Sequence, residues 1–264
     1  MSPDLYFALT LVIRMAVTAA FLIAATVTAE RAGPLIGGLV ATLPISAGPI
    51  YIFLAIDHDA AFIGGSALGS MLSNAVNIAF SLTYCLLAQK RSLTESLAGA
   101  FLMWGVLIWL LGNQLQLGLW ATIGVNVAAV IIALVVQSRL PSIHFPRMRT
   151  YWYDYFLRAG MVATLVGVVV TLSYHIGPAA SGNLAVFPIV LTSIAIILHP
   201  RVGGRAAATV LAHSAVGLGG FGLAMLALHL TAEPLGSVWA LIVTLVVSVA
   251  VNVIIFFIRR VKTA

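Results

Sequence analysis

Nine apolar stretches follow one another along this chain, at 5–29, 35–56, 61–88, 95–112, 116–138, 154–175, 179–199, 204–231 and 235–258. As helices they are long enough to cross a hydrocarbon layer of about 30 Å. Lipid offers no water to a free N–H or C=O, so such a chain satisfies its backbone within helices. The expected fold class is all-α: a polytopic membrane bundle of about nine transmembrane helices. With 62% hydrophobic and 8% charged residues and only short connections, the chain has no room for a separate soluble domain.

The charges lie between the stretches, and their signs alternate. Basic residues occupy the connections 89–94 (Lys90, Arg91), 139–153 (Arg139, Arg147, Arg149) and 200–203 (Arg201, with Arg205 just beyond), and the tail (Arg259, Arg260, Lys262). The connections in between hold Asp57, His58 and Asp59, or Glu233, or no charge at 113–115 and 176–178. Glu30 and Arg31 share the first connection. Excess Lys and Arg mark the cytoplasmic side. The expected orientation in a bacterial inner membrane is therefore N-terminus periplasmic and C-terminus cytoplasmic, which needs an odd number of crossings. The formal charge of +6 does not point to nucleic acid, because the basic residues form no binding stripe. Cys85 is the only cysteine, which excludes an intramolecular disulfide and a multi-cysteine metal site. Residues 5–29 are expected to be a retained helix, since no basic n-region precedes them and Arg14 interrupts the apolar run.

One segment recurs within this frame. Gly33, Pro34, Gly38, Ala41 and Pro44 are matched by Gly177, Pro178, Gly182, Ala185 and Pro188, each 144 positions later. Arg14 and Arg158 keep that displacement, as do Ser70 and Ser214. Trp120 and Trp239, in similar settings, are 119 apart, so the second copy lacks one helix. The pattern reads as a duplication: repeat 1 over 1–138 with five helices, a cytoplasmic connector over 139–153, and repeat 2 over 154–264 with four. Five crossings separate the two starts, so the copies enter the bilayer in opposite directions. Asp57-His58-Asp59 after the first broken helix becomes Arg201-Val202-Gly203 after the second, as a change of side requires. Coincidence among apolar runs is the alternative.

Pro44 and Pro188 give the repeat its chemistry. Each lacks an N–H and clashes with the carbonyl four residues back, that of Val40 or Leu184. Backbone acceptors freed at membrane depth are tolerated only inside protein or beside a polar cavity. Two kinked helices meeting near the midplane around a ligand is one reading; kinks that merely shape the bundle is the other. Pointers of this kind are how discontinuous transporter helices announce themselves in sequence. Gly65-x-x-x-Gly69 and the small residues Ala206, Ala207, Ala208, Gly217, Gly219, Gly220 and Gly222 suit close helix packing.

Polar residues inside the stretches complete the candidate site. Arg14 and Arg158 either snorkel to the headgroups or turn inward as two cations for an anionic substrate. Asn74, Asn183 and His213 join Gly38, Pro44, Gly182 and Pro188 as candidate substrate-binding residues, and His213 could also couple to protons. Asn77, Asn126 and Asn252 could equally serve as bonds between helices. Asp57-His58-Asp59 has metal-compatible chemistry but reads as a solvated loop. Trp104, Trp109, Trp120, Trp152 and Trp239 lie mostly where an interfacial aromatic belt would.

The stretches Leu-Val-Ile-Arg14 and Ile-Gly-Gly38-Leu-Val-Ala-Thr-Leu-Pro44, with Phe-Leu-Arg158 and Gly182-Asn-Leu-Ala-Val-Phe-Pro188 in the second copy, carry a resemblance. A basic residue in a first helix, Gly-Leu near a mid-helix proline and then a small-residue helix resembles the GlpM-like family of small bacterial membrane proteins. The resemblance covers roughly one half of the chain and implies a duplicated, fused version of that unit. The stretch 95–112 departs from it. The inverted duplication is similar in logic to the drug/metabolite transporters, by architecture alone.

The expected function is a secondary transporter or exporter of a small solute, anionic if the two arginines converge, working by alternating access. The alternative is a non-transporting membrane subunit or scaffold of an envelope-biosynthesis complex. No enzyme is expected: the carboxylates lie mostly in connections, the histidines have no ligand spacing, and no Gly-rich nucleotide loop occurs. No cofactor or metal is expected. The expected partners are the lipid bilayer and a small solute, with a homo-oligomer left open and nucleic acid excluded.

Overall fold

Helices begin where the sequence supplies partners for their first N–H groups. Asp59 accepts from the Phe62 N–H (2.8 Å), and Ser92 and Glu95 form a reciprocal capping box. The computed structural model describes residues 2–31, 46–139 and 151–263. Its elements are α1 (Pro3–Arg31), α2 (Ala47–Asp57), α3 (Ala60–Leu87), α4 (Leu93–Ile108), α5 (Leu119–Arg139), α6 (Trp152–Ala185), α7 (Ile189–Val202), α8 (Gly204–Leu235) and α9 (Ser237–Thr263). The end of α4 widens into a π-turn, Trp109–Gln114. No strand occurs among the described residues. Seven helical segments are long and apolar enough to cross a membrane, so this is a multi-pass membrane protein. Gly38, Pro44, Arg147 and Arg149 lie outside the described residues, so only the second half of the expected span 35–56 is seen, as α2.

The longest apolar segment, Trp152–Val202, has 51 residues and does not make a single crossing. Gly177 stands at φ 76°, ψ 175°, in the left-handed range open to glycine, and Pro178 follows it. The chain reverses there. Asp154, near the start of α6, forms a bidentate ion pair with Arg201, near the end of α7 (Nη1–Oδ2 2.7 Å, Nη2–Oδ1 2.5 Å). The 25 residues from Trp152 to Ile176 make a helix about 37 Å long. Its far end meets another loop, where His58 Nε2 lies 2.8 Å from Ser173 Oγ.

Contacts of this kind define two ends of the bundle. At one, His58 meets Ser173 and the His229 Nδ1–H donates to the Gly64 carbonyl (2.8 Å). At the other, Tyr84 bonds His199 and the Cys85 thiol donates to the Ala208 carbonyl (2.9 Å). Asp57, Asp59 and Glu233 belong to the first end; Lys90, Arg91, Arg201 and Arg205 belong to the second. The alternation of charge along the sequence thus becomes a separation of charge between the ends.

Helix α3 forms the axis. It is buried along most of its length and packs against α4, α5, α6 and α8. Its largest partner is α8, and the two run antiparallel: Cys85 reaches Ala208, Asn74 reaches Leu218 and Gly64 receives His229. The apolar core divides in two along this axis. One cluster surrounds Ile63, Ala67 and Met71 with α2, α6 and the end of α8; the other surrounds Val76, Phe80 and Tyr84 with α4, α7 and the start of α8. Between them, halfway along α3, lie Ser70, Ser73, Asn74 and Asn77, all buried.

Candidate functional site

The site grows from the break that Pro188 imposes. Val186 and Phe187 leave the helical pattern, and both of their N–H groups turn to the Leu184 carbonyl. The Gly182 and Asn183 carbonyls thereby lose their normal helical donors. Helix α3 replaces them. Ser70 Oγ donates to the Gly182 carbonyl (2.7 Å), Ser73 Oγ to that of Asn183 (3.1 Å), and Asn77 Nδ2 to that of Val186 (2.6 Å). Positions 70, 73 and 77 are three and four apart, so one face of α3 carries all three. Tyr51 of α2 donates to Ser70 Oγ (2.7 Å), and the indole N–H of Trp104 to Asn77 Oδ1 (2.9 Å). Trp104 is therefore a core residue and not part of an interfacial belt.

Small residues allow this approach. The half-helix 178–185 lies against Gly65 and Gly69: a methyl group on Gly69 would overlap the Ala179 backbone, and one on Gly65 would press on Pro178. A methyl group on Gly182 would overlap the Ser66 carbonyl. The expected close packing at Gly65-x-x-x-Gly69 is thus used for a broken helix.

A cavity of about 510 Å³ opens beside this contact. It is lined by α3, the half-helix 178–185, the π-turn and the start of α5. Its polar residues are Asn113, Gln116, Thr122 and Asn183, and no charged side chain lines it. Asn183 is 7% exposed and its Oδ1 has no hydrogen-bond partner among the described residues. Gln116 holds φ at +45°, unusual for a residue with a side chain. Both π-turns and such backbone outliers recur at functional positions.

A larger crevice, about 710 Å³, lies between α1, α2 and α9. Its lining is apolar apart from the hydroxyls of Thr18, Tyr51 and Thr244, which are spent on the Arg14 carbonyl, Ser70 and the Ala240 carbonyl. It offers little to orient a polar solute.

The sequence candidates separate into groups. Gly182, Asn183 and Pro188 meet at the break. Asn74 lies on the same stretch of α3 but faces elsewhere: its Nδ2 donates to Asn126 Oδ1 and to the Leu218 carbonyl (3.0 Å each), while Asn126 holds the Met71 and Thr122 carbonyls. This amide pair clamps α3, α5 and α8 together. Arg14 forms a bidentate pair with Asp57 (Nη2–Oδ1 2.7 Å, and Nη1 with Oδ2) and covers the Phe53 ring. Arg158 lies one turn beyond Asp154, toward the opposite end, so the two arginines do not converge. His213 is exposed, with its ring against the Thr209 carbonyl of its own helix (2.7 Å). In the 57–59 loop, burial lowers the His58 pKa from its ordinary value, against the pull of Asp57 and Asp59. No group of three metal-ligating side chains occurs among the described residues.

Sequence reasoning missed Ser73, Asn113 and Gln116 as site components, and Asp154 as the partner of Arg201. The 70/73/77 spacing was the one usable signal. Comparison of the chain with protein-family models, curated proteins and solved structures gives no match.

Proposed function

We propose that this chain is a secondary transporter or exporter of a small polar solute in a bacterial inner membrane, built as nine crossings in two inverted repeats. The carrying observation is the cavity beside a broken helix, whose wall sets Asn113, Gln116, Thr122 and Asn183 among leucines and alanines. Discontinuous helices at mid-depth are where transporters hold their solutes.

Three contacts support the inverted duplication. Helices α3 and α8 are counterparts by the 144-residue displacement, and they pack antiparallel. The bond from Cys85 to Ala208 maps under that displacement onto the bond from His229 to Gly64. Asn74 bonds to Leu218, its own counterpart, as residues beside a twofold axis do. The ion pairs follow the same logic with reversed sign: Asp57 and Arg201 are counterparts, each tied to the first helix of its repeat. The basic end is then cytoplasmic, with the N-terminus periplasmic and the C-terminus cytoplasmic. The resemblance to a duplicated GlpM-like unit agrees with this plan. The protein binds and moves its solute without chemistry, needs no cofactor, and has the bilayer and the solute as its partners.

The test follows access rather than a substrate. In a Cys85→Ala background, Asn183→Cys is exposed to an impermeant thiol reagent in right-side-out and inside-out vesicles. Alternating access gives labelling from both sides. Labelling from one side only removes the transporter reading and favours the scaffold.

A further inference from the structure

Resting on the reading of the cavity as the solute path, we propose that its occupant is an uncharged, hydrogen-bonding molecule of the polyol, sugar or amide class, and not an anion. The composition of the wall is the first ground. Asn113, Gln116 and Asn183 are amides, each able to give and to accept, while the buried Thr122 hydroxyl already donates to the Gly118 carbonyl (3.0 Å). A wall with donors and acceptors in mixture, and no charge, matches groups that are themselves both.

The second ground is the fate of the cations. An anion taken from water needs a positive partner, because an unpaired buried charge is costly. The Arg14 guanidinium is engaged by Asp57 and that of Arg201 by Asp154, both in bidentate pairs away from this wall.

The third ground is an unfilled bond. Asn183 is more than nine-tenths buried, lines the cavity, and leaves Oδ1 without a partner among the described residues. Its backbone carbonyl is already taken by Ser73, which fixes the segment that carries it. Such a group in a native fold calls for a missing donor; Oδ1 is turned away from the cavity, and a flip of the Asn183 amide would bring it to a hydroxyl or amide N–H of the solute. The volume, about 510 Å³, falls in the usual range of small-molecule sites, roughly 300–1,000 Å³.

Charge preference is measurable before any solute is known. In a Cys85→Ala background, Gln116→Cys is reacted with small methanethiosulfonates that are neutral, anionic or cationic, each rate normalised to a free thiol. The expected result is no preference between the two charged reagents. An anion-selective cleft would favour the anionic one by about tenfold or more, and that result overturns the proposal. Xylitol, glucose and acetamide are then compared with phosphate and lactate as protectants. Protection by an uncharged probe, lost in Asn183→Leu and weakened in Asn183→Asp with the protein still monodisperse, is expected. Protection by the anions, or by nothing in the set, overturns it. Protection by an uncharged probe at a site that Asn183→Cys shows to be reached from one side only would end transport and leave this assignment standing.

Discussion

A methyl group at position 182 would occupy the space of the Ser66 carbonyl, and a backbone atom cannot swing aside as a side chain can. Gly182→Ala is therefore expected to destabilise the protein by about 1–3 kcal/mol, the usual cost of overpacking. Gly124→Ala is the control, since nothing lies within 4 Å of its added methyl group. It should be neutral or slightly stabilising, as alanine favours helix over glycine. Heating followed by size-exclusion chromatography of the fluorescently tagged protein gives both midpoints; equal midpoints would refute the packing argument. The matched glycines at 38 and 182 made this position conspicuous in the sequence. What it touches was not readable there, because Ser66 is 116 residues away.

The two bidentate ion pairs act between elements: Arg14–Asp57 joins α1 to the end of α2, and Asp154–Arg201 joins the start of α6 to the end of α7. Both carboxylates are buried and both arginines partly so. Removing one partner leaves an unmatched buried group, a loss of about 1–3 kcal/mol. Asp154→Asn and Asp57→Asn are each expected to lower the thermal midpoint. Exchanging the charges within a pair, Arg14→Asp with Asp57→Arg, should recover part of the loss, and a double-mutant cycle measures the coupling. Purely additive effects would show that the pairs hold nothing together. The sign reversal between Asp57 and Arg201 was visible along the chain, as was the break at 176–178 that Gly177 makes. The helix limits were close too: expected spans 61–88 and 204–231 became Ala60–Leu87 and Gly204–Leu235. Asp154 escaped notice because its partner is 47 residues on, across a reversal of the chain.

Across the bundle, the acidic and basic ends make a topology prediction. In the Cys85→Ala background, Gln89→Cys and Arg205→Cys should react from the cytoplasm, and Leu115→Cys and Glu233→Cys from the periplasm. Labelling of either of the first two from the same side as either of the last two, Gln89 together with Leu115 for example, would overturn the orientation and the odd count of crossings. Apolar length, charge alternation and the 144-residue displacement were enough to reach a helical membrane bundle with two distinct ends. They rest on local free energies: the cost of leaving backbone unsatisfied in lipid, and the pull of basic residues to one side.

Rotation of each helix about its own axis is a different matter. In water an apolar stripe points to the core, but lipid is as apolar as the interior, so hydropathy does not say which face turns inward. Only the tertiary structure decided that Ser70, Ser73 and Asn77 would meet the carbonyls freed at Gly182, Asn183 and Val186, and that Arg14 would meet a carboxylate rather than a solute. Those partners were selected by hydrogen bonds and close packing between distant segments, which no single stretch of the chain contains.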